Sequence, residues 1–174
     1  YSPVLSPIFA PIFGLPGLGF DFFSSTKVKK YTQELRLTSP GENAFSWQVG
    51  AFYTRETQDV GSSVDPIDSL SGEPVAGLAS VGGAGAAIRF REIAAFGSAT
   101  YRFSDAFDLT AGLRYSANRQ RNRTTAEGIF GAGTIGVRSR DDAVTWLVNP
   151  RFRLNADTMI YARIASGYRP GGPN

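Results

Sequence analysis

His and Cys are both missing from this 174-residue chain, and their absence decides which chemistry is left. Without them there is no imidazole base, no thiolate nucleophile, no disulfide and none of the usual zinc or haem ligands. The remaining candidates are carboxylates, guanidinium groups and backbone amides. Gly131 to Gly136 read GAGTIG, which satisfies the spacing of a phosphate-cradling GxGxxG loop. Such a loop needs a strand before it and a helix after it, so that helix N–H groups face the pyrophosphate. Here a polar stretch precedes it and the strand-like TIGVRSR follows, so no dinucleotide site is expected. Asp141 and Asp142 are neighbours, but neighbours on a strand point to opposite faces and cannot work as an acid/base pair. Asn122-Arg123-Thr124 is a glycosylation sequon by spacing alone. SVGGAGAA, from Ser80 to Ala87, could be a flexible gate; a plain mobile loop is the simpler reading.

Two groups of residues could bind something. Arg119, Arg121, Arg123, Arg138 and Arg140 flank one segment and alternate in phase. Two facing strands would gather several guanidinium groups on one wall, where an anionic ligand or a lipopolysaccharide phosphate could be held bidentately. The alternative is a solvated rim balanced by Glu127, Asp141 and Asp142. Near the start, Phe20, Phe22 and Phe23 follow Phe9 and Phe13 in an apolar opening segment. Exposed apolar patches mark interaction sites, so these rings are expected either to contact a hydrophobic ligand or to pack on neighbouring loops. Neither a cofactor nor a metal is expected.

The elements that must position these groups are strands. No run reaches the ~20 apolar residues that a membrane helix needs, and Pro3, Pro7, Pro11 and Pro16 interrupt the opening segment. Three hairpins can be read. Residues 27–38 pair with 45–58 across SPGENA, 89–103 with 107–119 across SDA, and 143–154 with 158–168 across Asn155-Ala156-Asp157. Their outer limits are about 27–58, 89–119 and 143–168, with long loops over about 1–26, 59–88 and 120–134. Each strand meets the ~9–11 residues that cross a bilayer at a tilt. Successive connections of an up-and-down sheet lie at opposite ends, so short turns fall on one side and long loops on the other, the asymmetry of outer-membrane barrels.

Polarity alternates along the strands. Phe45, Trp47, Val49, Ala51 and Tyr53 share one face; so do Leu109, Leu113 and Tyr115, and so do Trp146 and Val148. These residues are expected to face lipid, with aromatic rings near both ends of the strands as interfacial girdles. Arg36, Arg102, Arg114, Arg151, Arg153 and Arg163 fall on the other phase. A net charge of +3, spread along the chain without a basic block, points away from nucleic acid. The fold class expected is all-β: an antiparallel up-and-down meander of about six long strands, a segment of a larger transmembrane β-barrel. The competing reading is a soluble antiparallel β-domain acting as a binding or adhesion module. That reading needs a second layer over the apolar face, and no helical periodicity supplies one.

YTQELRLTSP, FSWQVGAFY, EIAAFGSATYRFSDAFDLTAGLRYS and NPRFRLNADTMIYARIASGYRPGGPN, in this order, resemble the barrel of TonB-dependent outer-membrane receptors. TQELRL, TAGLRYS and GYRPGG together carry the resemblance. It implies a bacterial outer-membrane receptor that binds and actively imports a scarce ligand, most often a ferric siderophore. It implies as partners outer-membrane lipid, a plug domain and the TonB-ExbB-ExbD complex, and it implies no catalysis. Family barrels have about 22 strands around a plug. Six strands, no plug and no TonB box can be read here, so the chain is expected to be part of such a barrel and not transport-competent by itself, since even eight strands leave room only for side chains.

Overall fold

The computed structural model describes residues 17–169, apart from 42 and 130. Five long strands, β1 (Leu18–Thr38), β2 (Phe45–Asp68), β3 (Gly82–Arg102), β4 (Phe107–Gly128) and β5 (Gly133–Arg153), are followed by two short ones, β6 (Met159–Tyr161) and β7 (Ile164–Ala165). They form one sheet in the order β1-β2-β3-β4-β5-β6, with β7 also on β5. β6 and β7 are one return strand interrupted once. Arg151 pairs with Tyr161 and Leu147 with Ala165, which is the same register on either side of the break. The break falls opposite Pro150, whose ring nitrogen has no hydrogen to donate, although its carbonyl still accepts from the Ala162 N–H at 3.1 Å. The meander is therefore the expected one, with β1 and β6 at its ends.

Strand lengths differ from the sequence reading. β1 begins at Leu18, so Phe20, Phe22 and Phe23 lie in a strand, while Phe9 and Phe13 are outside the described residues. β2 runs ten residues past Gln58, and the segment expected as a loop over 59–88 narrows to the connection between Asp68 and Gly82. β4 and β5 likewise extend through most of 120–134. SVGGAGAA, lacking any polar alternation, looks like a loop in sequence. In the sheet its small residues permit close backbone approach: a Cβ on Gly83 would lie 2.8 Å from the Ser62 carbonyl oxygen. β4 ends at Gly128, where φ is +125° and a side chain would run into Val81 and Gly82.

The strands contribute to two compact units. One takes in Thr57–Arg89, Arg121–Val137 and the first strand as far as Lys29; the other is Lys30–Glu56, Phe90–Gln120 and Arg138–Asn174. The first has an apolar core of Leu18, Phe20 and Val81, against which Val64, Val75 and Leu78 pack. Its β2–β3 connection opens with a tight turn on Asp68, whose Oδ1 accepts from the N–H groups of Leu70 and Ser71 and from the Ser71 hydroxyl at 2.8–3.1 Å. These donors, the Ser71 amide foremost, hold the Asp68 carboxyl below its ordinary 3.8.

The second unit is organised by the pleat. On β4, Leu113 and Tyr115 stay 63% and 50% exposed, while Asp108, Ser116 and Asn118, on the other phase, are buried. Trp47, Val49 and Trp146 are likewise exposed members of the apolar phase. Side chains of Trp47, Val49, Ala111, Leu113, Trp146 and Val148 line one shallow apolar hollow of about 510 Å³.

Candidate functional site

The polar face of the second unit carries the charged chemistry. Asp108 begins β4, and its carboxylate is 2% exposed. Two guanidinium groups from β5 reach it: Arg151 Nε donates to Oδ1 at 2.6 Å, and Arg153 Nη1 donates to Oδ2 at 3.2 Å. Arg151 and Arg153 sit two apart on one strand and so share a face. Midway along the strands Arg114 Nη2 donates to Glu92 Oε1 at 2.7 Å, and its guanidinium lies 5.2 Å from the Phe52 ring centroid and 5.9 Å from that of Phe96. Arg36, paired with Glu34, approaches Phe96 to 5.8 Å. The Phe96 ring occupies the volume that a side chain at Gly50 would fill, where a Cβ would also come within 2.7 Å of the Leu35 carbonyl oxygen. Glycine at 50 thus leaves room for the Phe96 ring that both cations approach.

Threonine hydroxyls join neighbouring strands across the same face, Thr32 to Thr54 at 2.9 Å and Thr100 to Thr110 at 2.8 Å. Further along, the Tyr168 hydroxyl donates to Asp141 at 2.6 Å, and Asn118 Nδ2 stands 3.5 Å from it. Two adjoining concavities open here. One, about 400 Å³, is lined by Glu34, Arg36, Gln48 and Phe96 among others, and one of about 300 Å³ by Glu92, Ser116, Asn118 and Tyr168; Arg114, Thr145 and Ser166 border both. The Oδ1 atoms of Asn118 and Asn149 are buried and accept no hydrogen bond within the described residues, leaving them for donors from water or a bound molecule. Acid, base and amide groups lining adjoining concavities suit holding a polar ligand at several points. No group of three potential metal ligands occurs among the described residues.

The residues singled out in the sequence do not converge on this wall. Arg119 lies on the phase of Leu113 and Tyr115, and Arg138 and Arg140 on that of Val144 and Trp146, so all three leave the sheet opposite to Arg114 and Asp108. Arg121 and Arg123 continue the Arg119 phase in the first unit. Phe20 is fully buried with Leu18 and Val81, so its ring is not presented to a ligand; Phe22 and Phe23 remain 59% and 60% exposed. GAGTIG leads into β5 and not into a helix, in line with the strand expected for TIGVRSR. The partners of Asp108, over forty residues away in sequence, could not be read without the register.

A single antiparallel meander with one apolar and one charged face defines a piece of a membrane β-barrel wall. Residues 8–174 match the family model "TonB dependent receptor-like, beta-barrel", and the chain belongs to that family. Its members are transport receptors of the bacterial outer membrane, not enzymes. Among curated proteins it resembles the pesticin receptor of Yersinia enterocolitica, 32% identical over 84 residues, and that of Yersinia pestis, 31% identical over 84. Each match covers 47% of this chain and 12% of the relative. Among solved structures, the ferric yersiniabactin uptake receptor FyuA from Yersinia pestis superposes with a TM-score of 0.73 at 19% identity, over 90% of this chain and 23% of FyuA. The open form of the ferric-catecholate import receptor Fiu of E. coli K12 gives 0.57 at 15% identity, over 84% of this chain and 26% of Fiu. At such identities the structural likeness speaks for the fold.

Proposed function

We propose that these strands form part of the wall of a bacterial outer-membrane receptor that binds a scarce ligand, a ferric siderophore by preference, and imports it. The apolar phase, with Phe45, Trp47, Val49, Tyr53, Leu109, Leu113, Tyr115, Trp146 and Val148, faces lipid, and the phase of Asp108, Glu92 and Arg114 faces the lumen. A plug domain and the TonB-ExbB-ExbD complex supply the gating and the energy. The strands alone do not transport. One observation carries this reading: apart from Ala94, the buried side chains of the second unit are polar, while large apolar ones such as Trp47, Val49, Leu113, Tyr115 and Trp146 are exposed, an arrangement that suits a sheet whose outside is covered by lipid. The uptake receptor FyuA and the import receptor Fiu share the fold, which supports a ferric complex as cargo.

The test is uptake of radio-iron by iron-starved cells that carry or lack the receptor containing these strands, across a panel of ferric siderophores. TonB-dependent uptake of at least one of them should vanish on deletion and return on complementation. Arg114→Ala in the complementing copy should raise the concentration for half-maximal uptake severalfold. Uptake unchanged by deletion for every siderophore sinks the cargo assignment.

A further inference from the structure

The apolar phase of the second unit ends in a row of like charges that the ligand-binding wall does not explain. Cross-strand contacts determine the registers. The Arg102 N–H donates to the Ala44 carbonyl at 2.8 Å, the hydroxyls of Thr100 and Thr110 meet at 2.8 Å, and the Arg153 N–H donates to the Ala106 carbonyl at 2.7 Å. Counted along the ladders from these points, Arg55 on β2 stands opposite Arg91 on β3, Arg91 opposite Arg119 on β4, and Arg119 opposite Arg140 on β5. The approach of Gly97 to Val49, and of Gly112 to Ser98 and Leu147, keeps the same registers. Four arginines therefore occupy one row across four adjacent strands, all exposed.

Like charges directly opposite each other in a sheet are destabilising, so such a row calls for a counter-charge. The described residues do not provide it: among them none of the four enters an ion pair or a side-chain hydrogen bond, and Arg91 only lies over the Tyr53 ring, 5.6 Å from its centroid. The adjacent acids are committed to the other face, Glu56 to Lys30 at 3.1 Å and Glu92 to Arg114 at 2.7 Å. Asp142 is the nearest carboxylate of this phase along β5, one charge beside four.

The height of the row indicates its partner. On β4 the apolar phase runs from Phe107 to Ala117, about 33 Å along the strand and roughly 25 Å along the normal at a usual tilt, the height of a barrel's apolar band. Arg119 is the next residue of that phase and so stands just outside the band, at headgroup level. It lies on the side of the apolar band remote from the short turns, where the strands run on beyond it, and in barrels of this kind that side is the outer leaflet.

We propose that Arg55, Arg91, Arg119 and Arg140 form a docking row for the phosphorylated headgroups of outer-leaflet glycolipid, each guanidinium presenting its fork to phosphate oxygens. The proposal rests on the reading of the apolar phase as lipid-covered. It also makes Arg119 and Arg140 contacts of lipid and not of the imported ligand.

The test uses the full-length receptor containing these strands, purified in detergent and reconstituted into phosphatidylcholine vesicles with and without lipopolysaccharide, beside a variant combining Arg55→Gln, Arg91→Gln, Arg119→Gln and Arg140→Gln. Insertion is read by protection from external protease, and bound glycolipid by phosphate analysis of the re-extracted protein. Both proteins should insert, and the variant should retain about tenfold less glycolipid, with 10 mM inorganic phosphate displacing none from the parent. Equal retention by the inserted variant overturns the row while leaving the receptor reading intact. Displacement by inorganic phosphate overturns it in favour of a site for soluble anions. If the parent fails to insert even into pure phosphatidylcholine, the lipid-covered reading itself falls and the row falls with it.

Discussion

The two units of the sheet have opposite interiors. Among the described residues, the large apolar side chains that are buried, Leu18, Phe20, Ile67 and Val81, all belong to the unit that takes in the first strand as far as Lys29, Thr57–Arg89 and Arg121–Val137. The buried polar ones, Thr54, Asp108, Ser116 and Asn118, all belong to the other, which buries a single small hydrophobe, Ala94. The first pattern is how a chain folds in water, where apolar burial is the driving term. The second is how a barrel wall folds in lipid, where outward apolar groups lose nothing and the polar groups must satisfy one another. On the reading proposed above, one set of strands is thus written in two solvent codes, and substitutions should behave oppositely in the two.

Truncation of a core ring is the strongest way to test the watery half. Phe20→Ala should cost about 3–5 kcal/mol of local stability, since the ring is fully buried against Leu18 and Val81. Hydrogen exchange of the Val81 amide, which donates to Val64 at 2.9 Å, reads this as an acceleration of a hundredfold or more in the folded receptor. An unchanged rate would mean that the cluster holds nothing together. The same truncation at Leu113 in the lipid half should be nearly silent, because acyl chains fill the space.

Charge tests the lipid half. Leu113→Arg places a guanidinium near the middle of the apolar phase and should lower folding stability in vesicles by roughly 2–4 kcal/mol. Chemical denaturation of the vesicle-inserted receptor measures it, and a loss below about 0.5 kcal/mol, ordinary for an exposed site in water, would break the comparison. On the opposite phase Asp108→Asn keeps the shape and removes the charge that two guanidinium groups share. It should cost about 1–3 kcal/mol, with Arg151 and Arg153, both partly exposed, recovering some hydration. Denaturation in the same vesicles ranks it against Leu113→Arg, and an Asp108→Asn protein as stable as the parent would show that the pairs are ornamental.

The lipid half was the legible one. Strict alternation such as Phe107, Leu109, Ala111, Leu113 and Tyr115 against Asp108, Thr110, Gly112, Arg114 and Ser116 is unambiguous because each phase keeps one polarity over its whole length. The watery half hid its strands, since Gly83, Ala84, Gly85, Ala86 and Ala87 have no polarity to alternate and their fitness for a strand depends on how near the β2 backbone comes. Which face an arginine takes could be read by parity, and Arg119 and Arg140 could have been placed on the apolar phase at once. Which arginines stand opposite each other could not, because register comes from the turns and the ladder and not from composition. For that reason the Glu92–Arg114 and Asp108–Arg151 pairs, and the row from Arg55 to Arg140, appear only in the folded sheet.

The smallest expected effect lies in the turn that closes the watery half. Asp68 accepts three hydrogen bonds, from the Ser71 and Leu70 amides and the Ser71 hydroxyl, and each favours its ionised form. Its carboxyl is thereby lowered below 3.8 in the fold, while the unfolded chain keeps the ordinary value. A lowered acid stabilises the folded turn above the unfolded pKa, and that contribution fades as pH falls through the folded one. The turn should therefore be insensitive to pH from neutrality down to about 4 and loosen only below that. Carboxyl NMR of the receptor labelled at Asp68 should give a midpoint under 3.8, and Ser71→Pro, which deletes the foremost donor, should move it upward. A midpoint at 3.8 in the parent would mean that water, and not the turn, satisfies the carboxylate. The effect is confined to one solvent-exposed loop, so denaturation midpoints of the lipid half should not follow it.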